Sequence, residues 1–320
     1  MSEQTTIILG PSNVGKTALL ASFFYSAGVF AKRGISVQIQ AENDTTRTVQ
    51  QNTLSFVRTG RLPFQGTYSV MEYDFLFSVM KERTGISRIL GQTVSQRNRF
   101  RFFDSPGGAI FALEGEEIDY AVQGEHRKKL ISELQEAKGL ILCVDASEKN
   151  KMDDSGHMSG QLYVSLNDIF SLTPKKYKNK GLPSLGIQKI YVCINKCDLW
   201  AVQEGYQGNA QEQIEGIDPL VFAYELLGKG FFNTLSTFFS PQTQISFGFS
   251  SSFGFLEGGP NAMLIEGVGI GEEVRREHLD AWSPYQVLEP FVFLTTGRPL
   301  DANISVYQVG ELNSHIPWGE

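Results

Sequence analysis

Long apolar runs, paired cysteines and an excess of basic charge are all missing from these 320 residues, and each absence removes a class of protein. No apolar stretch approaches the roughly 18 residues that a membrane helix needs. The opening Met1-Ser2-Glu3-Gln4 lacks the basic and then apolar pattern of a secretory signal. The expectation is a soluble, cytoplasmic chain with no membrane span. Three cysteines, Cys143, Cys193 and Cys197, are an odd number, and two of them stand in apolar strand-like runs, where a reduced thiol behaves as a small hydrophobe. No disulfide framework is implied. Cys193 and Cys197 are spaced too widely for a CxxC pair and the four histidines are scattered, which argues against a structural zinc site. The formal net charge of −7 argues against nucleic acid or an anionic membrane as partner, and the nearest basic run, 175–180, reads as a solvated loop. There is also no internal repeat and no low-complexity linker, so one domain with inserted loops is preferred over two. With 41% hydrophobic residues that domain can bury a substantial core without staples.

What is present begins at Gly10-Pro11-Ser12-Asn13-Val14-Gly15-Lys16-Thr17, a match to GxxxxGKT. An apolar, β-branched run (5–9) precedes it and a helical apolar pattern (18–31) follows, which is the strand-loop-helix setting that a phosphate-binding loop requires. Glycines let the backbone curl so that several N–H groups point inward, and the start of the helix adds its positive end. Ser12, Asn13, Val14, Gly15, Lys16, Thr17 and Ala18 are the candidate phosphate-binding residues. Lys16 is placed to reach the β- and γ-phosphates, and Thr17 to hold Mg²⁺.

Further strands are expected at 35–40, 68–80, 98–103, 140–145, 189–194 and 244–249, with 140–145 the clearest buried one. The runs 68–80 and 98–103 can pair antiparallel at one edge of the sheet. Helices are expected at 45–58 behind a polar cap at 42–46, at 114–138, at 161–172, at 220–239 with an interruption near Gly228 to Gly230, and at 284–296. Residues 149–160 and 174–186 read as loops, 199–216 as an insertion, and 254–271 as a glycine-rich loop or flap. This order calls for an α/β fold: a three-layer α/β/α P-loop NTPase arrangement whose mostly parallel sheet has six or more strands and one antiparallel edge strand, with loop insertions.

Three more pieces fall, in order, at the ends of expected strands. Asp104 to Gly107 fits DxxG, whose carboxylate can serve Mg²⁺ and whose glycine N–H can sense a γ-phosphate. Asn195 to Asp198 fits NKxD, in which a carboxylate accepts two N–H bonds from the guanine edge and is repelled by the acceptor that adenine carries there. The turn Ser250-Ser251-Ser252 can offer a backbone N–H to the guanine carbonyl. Each alone is weak, and their joint order is what makes the signal strong.

With these motifs the chain resembles the Ras-like P-loop GTPases of the translation-factor-related class over residues 5–296. The resemblance implies a guanine-nucleotide-binding protein that hydrolyses GTP to GDP with Mg²⁺. It implies that Lys16 binds the β- and γ-phosphates, that Thr17 and Asp104 serve Mg²⁺, that Asn195 and Asp198 read guanine, that Lys196 packs along the nucleotide, and that Ser250 and Ser251 belong to the base-binding turn. Thr67, just before the strand that pairs with the DxxG strand, is preferred over Thr45 and Thr46 as the switch threonine, touching both metal and γ-phosphate, with Gly107 beside it. Residues 1–297 would form the GTPase domain and 298–320 a tail packed on it or binding a partner. The large loops and the 282–290 segment look more like bacterial large GTPases, including the double-GTPases of prokaryotic conflict systems, which work beside partner proteins.

One departure bears on rate. Many members of that class place glutamine directly after DxxG to orient the attacking water, and this chain has Gly108. A slow GTPase acting as a switch for a protein partner is the first reading. A GTP- or GDP-gated binding module that hardly hydrolyses is the second. An ATPase of the same architecture comes last, because Asp198 discriminates against adenine.

Overall fold

Strands form where the sequence is apolar and β-branched on both faces, and the two most buried, Gly139–Asp145 and Lys189–Asn195, lie at the middle of the sheet. The computed structural model describes residues 4–11, 14–30, 35–59, 71–81, 94–104, 120–151, 157–175, 177–179, 182–206, 210–256, 259–260 and 282–316. In chain order the elements are β1 (Gln4–Leu9), α1 (Lys16–Val29), β2 (Ile35–Ala41), α2 (Asp44–Thr59), β3 (Met71–Lys81), β4 (Val94–Asp104), α3 (Tyr120–Glu136) and β5 (Gly139–Asp145). A short 3-10 turn (Ala146–Lys151) leads to α4 (His157–Leu172), a hairpin of β6 (Tyr177–Asn179) and β7 (Leu182–Ser184), then β8 (Lys189–Asn195), α5 (Cys197–Gln203), α6 (Ala210–Glu215) and α7 (Pro219–Phe238). The chain continues through β9 (Gln244–Phe249), the small hairpin β10 (Phe255–Leu256) and β11 (Gly259–Pro260), α8 (Glu289–Thr296), β12 (Val306–Gln308) and α9 (Leu312–His315).

Eight strands make one sheet in the order β12-β9-β8-β5-β1-β4-β3-β2. β4, β1, β5, β8 and β9 run parallel to one another. As expected, β3 pairs antiparallel with β4, from Met71↔Asp104 to Lys81↔Val94. That pair is not at the edge, however: β2 returns antiparallel along β3 and closes that side of the sheet. At the opposite edge β12 pairs antiparallel with β9.

Side chains alternate between two cores. On one face Ile7, Leu142, Val192 and Phe247 pack with α3, α4 and α7. On the other, Ile8, Cys143, Phe75 and Phe100 pack with α1 and α8. The result is the three-layer P-loop NTPase fold. Caps stand where the polar residues anticipate them. Asn43 Oδ1 accepts the N–H of Thr46 at 2.9 Å at the start of α2, and Asp218 Oδ1 accepts that of Leu220 at 2.8 Å before Pro219 opens α7. Gly228, with φ 70° and ψ 172°, breaks α7 at the expected place.

Three local expectations are corrected. α4 begins at His157, four residues before the helical pattern was expected to start, inside what reads as a loop. The insertion at 199–216 includes α5 and α6, which bury Trp200, Ala201 and Ile214 against the core. The apolar pattern from 284 does not become helix until Glu289: Pro284 disfavours helix at the residue before it, and Gln286 sits at φ 51°. Among the described residues no helix is long and apolar enough to cross a membrane.

Candidate functional site

All five parallel strands point their C-terminal ends the same way, so the end of β4 and the described residues that follow β1, β5, β8 and β9 lie at one end of the sheet, where open α/β sheets hold ligands. The loop after β1 is pressed close to its neighbours. A Cβ on Gly10 would lie 2.6 Å from the Cys143 carbonyl oxygen, and one on Gly15 would lie 2.9 Å from Asn195 Nδ2. Gly15 also adopts φ 82°, a conformation that glycine takes without strain, and it leads directly into α1 with no side chain to cap the helix's first N–H groups. Lys16 is 6% exposed, and its ammonium folds back to donate to the Pro11 carbonyl at 2.7 Å. Val14 is buried, Thr17 and Ala18 are half-buried in the first turn, and Ser12 and Asn13 lie outside the described residues. A left-handed Gly15, uncapped helix N–H groups and a buried lysine at one loop are the parts from which a phosphate site can be built.

The loop after β8 lies against this one. Asn195 Nδ2 donates to the Val14 carbonyl at 2.7 Å, and its Oδ1 accepts from Ser250 Oγ at 3.1 Å. Cys193 Sγ backs the same serine at 3.0 Å. Asn195 is therefore a strut between the phosphate loop and the turn after β9. Lys196 takes φ 58° and starts α5, and its Nζ pairs with Asp145 Oδ2 at 2.5 Å. Asp145 in turn accepts from Ser147 N at 2.9 Å and Ser147 Oγ at 2.6 Å.

Asp198 is 2% exposed, and its Oδ2 has no hydrogen-bond partner among the described residues. Burial pushes this carboxyl up to about 6, against the opposing pull of the Ser251 hydroxyl, nearby backbone N–H groups and the Lys196 charge. A buried carboxylate oxygen without a donor is costly, and it fits a ligand that brings N–H groups to it. In the turn after β9, the Ser250 N–H donates to the Ile194 carbonyl at 2.8 Å and the Ser251 N–H to the Tyr285 carbonyl at 3.0 Å. Both amides are thus engaged. Ser252 is the next in line, and its N–H has no partner among the described residues.

No protein-family model and no curated protein matches the sequence. Solved structures with a similar chain path include the Arl6 small GTPase of Trypanosoma brucei with bound GppNp, at 10% identity and TM-score 0.33, over 78% of this chain and 88% of that one. The signal recognition particle receptor SRb-GTP/SRX complex of Chaetomium thermophilum aligns at 14% identity and TM-score 0.34, over 82% and 96%. A bacterial selenocysteine-specific elongation factor, EF-Sec, aligns at 13% identity and TM-score 0.30, over 79% of this chain and 26% of its own. At these values the functional reading rests on the site's own residues.

Of the remaining expected residues, Asp104 ends β4 two positions beyond the Ile8↔Phe102 pairing, so its backbone stands beside the start of the phosphate loop. Thr67, Gly107 and Gly108 lie outside the described residues. Thr46, the rival to Thr67, is fully buried, and its hydroxyl bonds Asn43 Oδ1 at 2.6 Å and both backbone groups of Asp74, so it fastens α2 to β3. Sequence reasoning missed two features. Asp145 ends the clearest buried strand, and that placement was its only signal. The contact of 282–285 with the turn after β9 was the second: Pro284 and Tyr285 were read into a helix from 284, and nothing in Trp282 itself announces its bond to Ser252.

Proposed function

We propose that this chain binds a guanine nucleotide with Mg²⁺, hydrolyses GTP slowly, and serves as a nucleotide-gated switch for a protein partner. The observation that carries the reading is Asp198 Oδ2, a buried acceptor with no donor among the described residues, at the same sheet end as the loop after β1 and beside the Ser251 hydroxyl, whose neighbour Ser252 has an N–H with no partner among the described residues. Guanine offers two N–H groups to a carboxylate and a carbonyl to an amide, whereas adenine offers neither in that arrangement. The glycine cradle at Gly10 and Gly15 supports close approach of a phosphate chain to the backbone.

In this reading Lys16 exchanges its bond to Pro11 for the β- and γ-phosphates, and its charge stabilises the negative charge that develops on hydrolysis. Thr17 and Asp104 hold Mg²⁺, with Thr67 as the switch threonine. The metal supplies charge neutralisation between the phosphates. Asn195 keeps the phosphate loop and the base turn at a fixed separation. Lys196, held by Asp145, lays its stem along the nucleotide, and the hydroxyl of Ser251 supports Asp198. Gly107 offers an N–H to the γ-phosphate. A place among bacterial large GTPases of the conflict-system kind, working beside a partner, is part of the same proposal.

Gly108 supports the slow rate, and it equally supports a second reading, a nucleotide-gated module that hardly hydrolyses. Titration with GDP, GTP and ATP, followed by single-turnover phosphate release, tests both. The expected result is binding of GDP and GTP at least 100-fold tighter than ATP, roughly 3 kcal/mol of discrimination, and phosphate release that is measurable but slow. ATP binding as tightly as GDP would refute the guanine assignment. Rapid release by the isolated chain would refute the slow switch, and no release at all would leave the gated module in its place.

A further inference from the structure

The turn that faces Asp198 is held from behind by residues 282–285. The Tyr285 N–H donates to the Ser251 carbonyl at 2.9 Å, and the Ser251 N–H donates to the Tyr285 carbonyl at 3.0 Å, an isolated antiparallel bridge. One residue further along, the Trp282 indole Nε1 donates to the Ser252 carbonyl at 2.8 Å. Gly254 then runs parallel to Ser283 at φ 75°, so close that a Cβ there would lie 1.7 Å from the Ser283 carbonyl oxygen. The indole itself is anchored: it is nearly buried and stacks on Tyr25 of α1, with ring centroids 4.4 Å apart and an interplanar angle of 18°.

These bonds fix more than the fold of a loop. The Ser251 carbonyl and the Ser252 N–H belong to the same planar trans peptide unit, so they point in opposite directions. Holding the carbonyl on Tyr285 aims the Ser252 N–H away from the 282–285 segment, and a hydrogen bond accepted by an amide's carbonyl strengthens the donor at its other end. The Trp282 bond fixes the following peptide and so clamps Ser252 from its other side.

We infer that the 282–285 segment is a brace on the base-reading turn, with Trp282 a positioning residue that sets how strongly the Ser252 N–H binds the 6-carbonyl of a purine. The inference rests on the guanine reading proposed above. It adds a residue outside the GxxxxGKT, DxxG and NKxD motifs, tied to α1 and hence to the loop after β1 through Tyr25.

The test compares three diphosphates on the full chain. GDP and inosine diphosphate carry the 6-carbonyl, and 2-aminopurine riboside diphosphate lacks it. W282F keeps a ring against Tyr25 and removes the indole donor. It should weaken GDP and inosine diphosphate by about 5-fold to 10-fold, the worth of one hydrogen bond, and change 2-aminopurine riboside diphosphate by less than about twofold. Site-specific benzothienylalanine at position 282, shaped like indole but without the N–H, gives the same comparison should W282F fold poorly. Equal losses for all three diphosphates, or no loss, would overturn the brace. Failure of the unaltered chain to bind GDP would instead overturn the guanine reading, so the two failures are distinguishable.

Discussion

At Asp198 the structure places a carboxyl where its charge is costly unless a ligand answers it. Burial raises this group to about 6, against an ordinary carboxylate value of 3.8. Two consequences of opposite sign follow. A carboxylate is needed to accept the guanine N–H groups, so GDP affinity should be nearly constant above pH 7 and fall about tenfold per unit below pH 6. For the nucleotide-free chain the native state holds a proton that the unfolded chain has released between pH 3.8 and about 6. The contribution of Asp198 to stability is therefore fully present below pH 3.8 and lost as pH rises through about 6. GDP titration and chemical unfolding at pH 5 and pH 7.5, each compared with D198N, check both signs, because the difference between the two proteins isolates this group. A GDP affinity that does not change over that range would contradict the assigned role.

At the scale of elements, much of the chain was legible because a strand buried on both faces has to be written in apolar, β-branched residues. β5 and β8 are such runs, and both were located to within one residue. The phosphate loop was legible for a different reason: Gly10 and Gly15 stand where any side chain would collide with β5 or Asn195. Short elements were not legible. β12 has three residues and exists because β9 offers it an edge, so nothing in Val306-Tyr307-Gln308 itself announces a strand. Residues 284–288 were read as the start of a helix because the apolar residues from 284 to 296 are helically spaced, and Pro284 and the left-handed Gln286 override that spacing. α8 was legible as a helix, but its weight in the core was not. Phe291 is fully buried and stacks on Phe23 at 3.8 Å, with Phe100 at 5.1 Å and Phe75 at 6.0 Å, which joins α8, α1, β3 and β4 in one cluster. F291A should cost about 3–5 kcal/mol of stability by cavity formation, read as a lower urea midpoint with an unchanged slope. A loss below ~1 kcal/mol would mean that the cluster repacks without it.

At the scale of the whole molecule, the sheet order brings together motifs that are far apart in sequence. β1 and β8 flank β5, so the loops at 10–17 and 195–198 are separated by a single strand, and Asn195 spans that gap to reach Val14. The turn at 250–252 follows from β9 lying beside β8. The proposed base site and phosphate site thus lie at one end of the sheet, with the cross-links Asn195–Val14, Lys196–Asp145 and Trp282–Tyr25 between the loops and helices that carry them. Sequence motifs named most of the residues at this end, but the cross-links became visible only with the sheet order. The measurement that bears most directly on this account is the base preference of D198N. Asparagine replaces one acceptor oxygen with an amide donor, so the variant should lose GDP affinity by at least 100-fold, roughly 3 kcal/mol. It should gain affinity for xanthosine diphosphate, which presents a carbonyl where guanine presents its amino group. An unchanged preference for GDP over xanthosine diphosphate in D198N would contradict the claim that Asp198 reads a guanine base.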